Sequence, residues 1–143
     1  MADLNAIVVD FGSSSVKFGH AGEATPRVFL NSSVGVRQKN GGVVNTDDET
    51  PFSFSSREHD IVTDFNATPT KLPLVNPYKG DNIDLENEGD SLMCKIYDLG
   101  MSEMFRDSTV ASEHPLMFID KCFASPEQRS KLAEVLFESC KGE

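Results

Sequence analysis

A short apolar run that ends in an acid and turns on a glycine is the most constraining feature of the chain. Residues 6–10, Ala-Ile-Val-Val-Asp, are continuous in their apolar character up to the acid, as expected of a buried central strand. Gly12-Ser13-Ser14 is a turn signal and Val16-Lys17-Phe18 resumes alternation, so residues 6–21 are predicted to form a hairpin. The strand is expected to end at Asp10, placing a carboxylate where a hydrated cation can be held beside a polyphosphate. Gly12 allows a tight bend and a close approach of the backbone to a ligand. Amides and hydroxyls of Ser13, Ser14 and Ser15 can surround phosphate oxygens as an anion-binding turn does, and Lys17 adds a point charge. The same residues also suit a plain hairpin.

Beyond the hairpin, residues 26–36 contain a third predicted strand around Arg27-Val28-Phe29-Leu30. Residues 37–70 are rich in Asn, Asp, Ser, Thr and Gly, and predict an excursion of loops and weak strands. Leu92, Met93, Ile96, Tyr97, Met101, Met104 and Phe105 recur near helical spacing and predict a helix within residues 90–105, which Gly100 weakens. Pro115 to Asp120 reads as a second buried strand. Ser125-Pro126-Glu127-Gln128 has the form of a capping box, and the helix after it puts Leu132, Val135, Leu136 and Cys140 on one face. The order is α/β with a mixed sheet. A strand–helix–strand–helix series calls for a further parallel strand. The chain stops before one, so the edge beside Pro115–Asp120 is expected to be open, and the chain to be marginally stable, to self-associate or to need a partner.

Thirteen basic against 23 acidic side chains give a net charge of −10. The basic residues are scattered, which argues against direct binding to nucleic acid and for action through protein partners. No apolar run reaches the roughly 18 residues of a membrane span, and residues 1–5 lack the basic and apolar start of a signal peptide. The 3 cysteines, Cys94, Cys122 and Cys140, have no metal-ligand spacing and are read as reduced intracellular thiols. Asn31-Ser32-Ser33 and Asn66-Ala67-Thr68 fit the glycosylation pattern by chance on that reading. His20 is assigned to packing, His59 to solvent and His114 to a turn at a strand entrance. The acidic run from Asp81 to Asp90 lacks the register of a calcium loop and is read as solvated.

Residues 7–27, I-V-V-D-F-G-S-S-S-V-K-F-G-H-A-G-E-A-T-P-R, resemble the opening of actin and its relatives almost position by position. The match includes the turn from Ala21 to Arg27 and the polar and glycine stretch from Asn31 to Gly35. Downstream, Glu113-His114-Pro115-Leu116, Arg129-Ser130-Lys131-Leu132 and Leu136-Phe137-Glu138 resemble a second family block. The resemblance covers nearly the whole chain, loosely over residues 37–105, and disfavours a sugar kinase or chaperone relative that shares only the superfamily fold. It implies a partial actin-like ATPase domain of the ribonuclease H-like type, with residues 1–36 and 81–143 as an incomplete nucleotide-binding core and 37–80 as an inserted, loop-rich second lobe. Asp10, Gly12, Ser13, Ser14, Ser15 and Lys17 would belong to the first phosphate loop, Asp10 reaching Mg or Ca through water, and Asp120 and Arg129 would form an acid–Arg brace.

Conventional actin has a second glycine where this chain has Ser14. The nuclear actin-like subunits of chromatin-remodelling and histone-acetylation complexes also carry a larger residue there, and residues 37–80 look similar to their second lobe. That favours a nuclear structural and regulatory subunit with ATP as a structural ligand, and with actin and chromatin-complex subunits as partners. The alternative is a divergent cytoskeletal actin, a cytoplasmic polymerising ATPase. The family's catalytic Gln, second phosphate loop and adenosine segment lie past the last residue here. Catalysis by this chain alone is therefore not expected, and ATP binding by it should be weak or nil.

Overall fold

A computed structural model describes residues 5–42, 44, 52–63, 72–106, 113–121 and 124–140. The Asn66–Thr68 pattern and Cys122 lie outside them. Strands β1 (Ile7–Phe11) and β2 (Ser15–His20) form the expected hairpin, with Asp10 opposite Lys17. The first strand runs one residue beyond Asp10, to Phe11. Strand β3 (Val28–Asn31) adds antiparallel to β2, and β9 (Leu116–Ile119) adds parallel to β1, giving the order β3-β2-β1-β9. The apolar run of residues 6–10 thus lies in the sheet interior, flanked on both sides by hydrogen-bonded neighbours.

The described part of the polar stretch carries the end of one strand and one short strand, as expected. Strands β4 (Val34–Gln38), β5 (His59–Val62) and β6 (Leu74–Val75) form a separate antiparallel sheet in the order β5-β4-β6. Strand β4 crosses the point at which the sequence reading divides core from insertion. A small ladder of β7 (Tyr78–Lys79) and β8 (Asn82–Ile83) follows, then a 3₁₀ turn at Glu88–Asp90.

His59 corrects the expectation of a solvated ring. It is 6% exposed and lies against Phe52 and Phe54, with ring centroids 5.1 and 5.6 Å away. The Ser55 N–H donates to its Nδ1 at 3.2 Å. Alternating Phe52 and Phe54 around Ser53 supply the apolar walls that the surrounding polar composition hides.

Helix α1 (Leu92–Met104) starts at Ser91, whose side chain accepts from the Cys94 N–H, a local N-cap. It covers the sheet face carrying Val9, Phe11, Val16 and Phe18, all buried. The Phe18 ring lies 6.2 Å from that of Tyr97, and a Cβ on Gly100 would come within 2.2 Å of the Phe18 ring. Gly100, the residue that weakened the helix prediction, is what allows the helix to approach the sheet. Its propensity cost of about 1 kcal/mol is outweighed by the aromatic ring that packs into the space.

Helix α2 (Pro126–Glu134) continues as a π-helical turn, Val135–Cys140. Ser125 accepts from the Gln128 N–H at 3.2 Å, but the Gln128 amide donates to the Ile83 carbonyl at 3.4 Å and does not return to the cap. Half of the capping box forms, because β8 offers the glutamine another acceptor. Leu132, Val135, Leu136 and Cys140 are buried, as their spacing predicts.

Two expectations change. The Leu116–Ile119 strand is not buried on both faces. Phe118 stacks on Phe11 with centroids 6.1 Å apart, whereas Met117 and Ile119 are 59% and 48% exposed. Among the described residues β9 pairs with β1 alone, so the apolar run covers a half-covered edge strand. The cysteines also depart from reduced thiols, since Cys94 and Cys140 form a disulfide with Cα atoms 5.3 Å apart across 46 residues of sequence. An odd count at unremarkable spacing gave no sign of this, because the pairing is made by α1 and the terminal turn packing together. In a chain-entropy account, closing a loop of that length stabilises the fold by roughly 4 kcal/mol.

Replacing Gly100 by Ala is expected to destabilise the chain by about 1–3 kcal/mol through overpacking, read as a lower urea midpoint. Phe18→Leu in the same chain should recover part of the loss, since the two positions touch. Additive losses would place the damage elsewhere.

Candidate phosphate-binding hairpin

The turn between β1 and β2 is held by groups from two other segments, the end of β3 and residues 76–78. Within it, the Gly12 N–H donates to the Ser15 carbonyl at 3.0 Å. A Cβ at Gly12 would come to 2.8 Å from that same oxygen, so a side chain there would force the turn open. Ser32, fully buried at the end of β3, donates from Oγ to the Gly12 carbonyl at 2.6 Å and from its N–H to the Ser14 carbonyl at 3.0 Å. The Asn76 amide donates to the Ser13 carbonyl at 2.8 Å and to Ser33 Oγ at 3.0 Å. Beneath, the Tyr78 hydroxyl donates to the Phe11 carbonyl in a short hydrogen bond.

These contacts orient the turn. In a trans peptide the N–H points opposite to the carbonyl of the same peptide plane. With the Gly12 and Ser13 carbonyls bound to Ser32 and Asn76, the N–H groups of Ser13 and Ser14 are directed away from those partners. Ser13 and Ser14 are exposed at the tip, where amides and hydroxyls together suit an anion. Gly12 to Ser15 are therefore brought together as the sequence predicts.

Asp10 and Lys17 face each other across the hairpin on the side away from α1. Lys17 lies between Asp10 and Phe29 in neighbouring strands, its ammonium 5.9 Å from the Phe29 ring centroid. Both line a groove of about 240 Å³ whose far wall is the turn from Gly22 to Pro26. Asp10 in β1 and Asp120, just past β9, sit at the carboxyl ends of adjacent parallel strands. That end is where open α/β sheets present ligand sites. Burial first, then the carboxylates of Asp10 and Asp120, push the Tyr78 hydroxyl above its ordinary value of 10.0. The phenol therefore stays protonated and remains the donor to Phe11. Lys121 lies over the other side of that ring, 4.3 Å from its centroid.

The acid–Arg brace is present, with Arg129 Nε 3.2 Å from Asp120. His114 and His20 form a cluster with Phe105, ring centroids 5.1 to 5.8 Å apart, and His114 Nδ1 lies 3.0 Å from the Asn5 carbonyl oxygen. Packing and a strand entrance account for both. In the acidic run, Asp90 accepts from Ser56 Oγ and pairs with Arg57, and Glu88 pairs with Lys131. No group of three or more potential metal ligands occurs among the described residues, and no described helix is long and apolar enough to cross a membrane.

Sequence reasoning missed Asn76 and Tyr78 altogether. Each acts from more than 60 residues away, with 63 and 67 positions separating them from Ser13 and Phe11, and neither belongs to a local pattern. Ser32 fell inside the polar and glycine stretch without being singled out.

A family profile described as Actin matches residues 1–142. Actin-related protein 4 of Oryza sativa subsp. japonica is 26% identical over 97% of this chain, which covers 34% of the rice protein. Actin-like protein 7B of Homo sapiens is 28% identical over 95% of this chain and 29% of its own length. Actin-related protein 4A of Arabidopsis thaliana is 27% identical over 96% of this chain and 97% of its own length. The chain thus spans about a third of the length of the rice relative and nearly all of the Arabidopsis one.

Ser32→Ala should cost about 1–3 kcal/mol by leaving the Gly12 carbonyl without its donor, and Asn76→Ala about 0.5–1.5 kcal/mol. Urea unfolding gives the cost, and amide exchange at residues 12–15 should accelerate in both variants. Unchanged exchange there would show that the turn holds itself.

Proposed function

Because the chain belongs to the actin family, we propose that it works as a structural and regulatory actin-related subunit of a nuclear, chromatin-remodelling or histone-modifying assembly, not as an ATPase by itself. The carrying observation is the hairpin. Asp10, the Gly12–Ser15 turn and Lys17 stand together at the carboxyl end of a central strand. In a complete actin-type fold they would form one side of a cradle for ATP with Mg or Ca. Ser13, Ser14 and Ser15 would meet phosphate oxygens, Lys17 would add positive charge, and Asp10 would hold the cation through water.

Hydrolysis needs water and both phosphates aligned between opposed groups, and one hairpin supplies only one of those walls. The nuclear placement draws on Ser14, on the layout of residues 37–80, and on relatives called actin-related protein 4 and 4A. A net charge of −10 favours protein partners, actin among them, over direct contact with DNA.

Calorimetry of the purified chain with Mg-ATP should show weak or no binding, and no phosphate should be released. Micromolar affinity would overturn this part. Within an actin-type assembly containing the chain, Asp10→Ala and Lys17→Ala should each lower ATP occupancy. The tagged chain should be recovered from nuclei with actin and chromatin-complex subunits; recovery in cytoplasmic filaments would favour a polymerising actin instead.

A further inference from the structure

We propose that Cys94 and Cys140 form a reversible thiol–disulfide site, exchanging with low-molecular-weight thiols and setting how firmly the terminal helix is attached. The two sulfurs join elements at a junction. Cys94 is in the first turn of α1, and Cys140 ends the π-helical turn that continues α2. That terminal turn also rests on the 3₁₀ turn, where a Cβ on Gly89 would come to 3.1 Å from Ser139 Cβ, and Lys131 pairs with Glu88 at 2.9 Å. The 3₁₀ turn in turn holds the loop before β5. The Ser56 N–H donates to the Asp90 carbonyl at 2.9 Å, Ser56 Oγ to the Asp90 carboxylate at 2.7 Å, and Arg57 pairs with that carboxylate at 2.9 Å. One covalent bond therefore sits at the root of a connected path from terminal helix to second sheet.

The chemistry of the two sulfurs differs, and this fixes the direction of exchange. Cys94 follows the Ser91 cap by three positions in a helix of 13 residues, and its N–H bonds to that cap. A thiolate there is stabilised by the helix N-terminus and leaves readily. An incoming thiolate attacks Cys140 Sγ, forming a mixed disulfide and expelling the Cys94 thiolate. A second thiol attacks the mixed disulfide, releasing the small-molecule disulfide and the Cys140 thiolate. Two electrons pass from two thiols to the protein disulfide, and each new thiolate takes up one of their protons. The reverse reaction uses the small-molecule disulfide as oxidant. Both sulfurs are buried, so attack requires the terminal turn to open first. The reduced state is also accommodated, because the Glu88 carbonyl oxygen lies 3.4 Å from Cys94 Sγ, an acceptor that only the thiol can use.

The 143-residue chain is equilibrated with glutathione at graded ratios of reduced to oxidised form, free thiols are trapped, and peptides are mapped. Amide exchange is followed on the same samples. The expected disulfide is Cys94–Cys140. Reduction should speed exchange in residues 126–140 and 88–90 by roughly tenfold or more while leaving β1 to β3 unchanged. Cys122→Ser should behave as the parent. The double variant Cys94→Ala, Cys140→Ala should show the reduced pattern at every ratio, and should it fail to fold, the parent chain's own response decides. Pairing through Cys122, or identical exchange in the oxidised and reduced chain, overturns the proposal.

Discussion

The buried Ser32 side chain is the contact on which the candidate site depends. Ser32 donates to the Gly12 carbonyl through its side-chain Oγ and to the Ser14 carbonyl through its backbone N–H, and so fixes two peptide planes of one turn from the end of a neighbouring strand. A hairpin tip of glycine and serines left to itself would sample many conformations, since glycine loses the most backbone freedom on ordering. Ordering it from outside means that the cost is met during folding and not when a ligand arrives, which is the essence of preorganisation. Asn76 repeats the device from the residue after β6. The geometry of the turn is thus a property of the tertiary fold, although its residues are contiguous.

Much of the central frame was legible because it is local. The β1–β2 hairpin, the apolar stripe from Leu132 to Cys140 and the Ser125 cap follow from spacing and turn chemistry within a few residues. What could not be read depends on partners remote in sequence. The helix within residues 90–105 can be read, but Gly100 looks only like a weakness in it until Phe18 is placed beside it. Gln128 completes a capping box until Ile83 supplies a rival acceptor. His59 looks solvated until Phe52 and Phe54 close on it, and three unpatterned cysteines hide a pair. The chemistry-bearing residues of the hairpin were named from sequence, whereas Asn76 and Tyr78, which hold the turn in place, were not.

The face of the sheet opposite α1 has a different character from the covered one. Phe29, Met117 and Ile119 stand out from it at 61%, 59% and 48% exposure, beside Asp10 and Lys17. Fully burying one such side chain is worth about 1.5–3 kcal/mol, comparable with a large share of a small domain's net stability of about 5–15 kcal/mol. The disulfide between α1 and the terminal turn compensates from the other side, by removing conformations from the unfolded chain and not by covering surface.

Charge sets a last condition on the hairpin. A polyphosphate approaching a chain of net charge −10 is repelled at long range, but at physiological salt the screening length is about 8 Å, so the nearby groups decide. Those are Asp10 and Asp120 at the ends of parallel strands, Lys17 across from Asp10, and Lys121 above Tyr78. Arg129 offsets Asp120 and Lys121 is placed over a ring, so the facing pair of Asp10 and Lys17 leaves little net attraction for an anion. Amides of the turn contribute fixed partial charges, but they do not remove the negative charge of Asp10, two residues before Gly12. On the proposed reading, a divalent cation would resolve the conflict by turning Asp10 from a repelling group into an anchor through water. On the same reading, phosphate would meet this turn together with a divalent cation, with Ser32 and Asn76 shaping the amides.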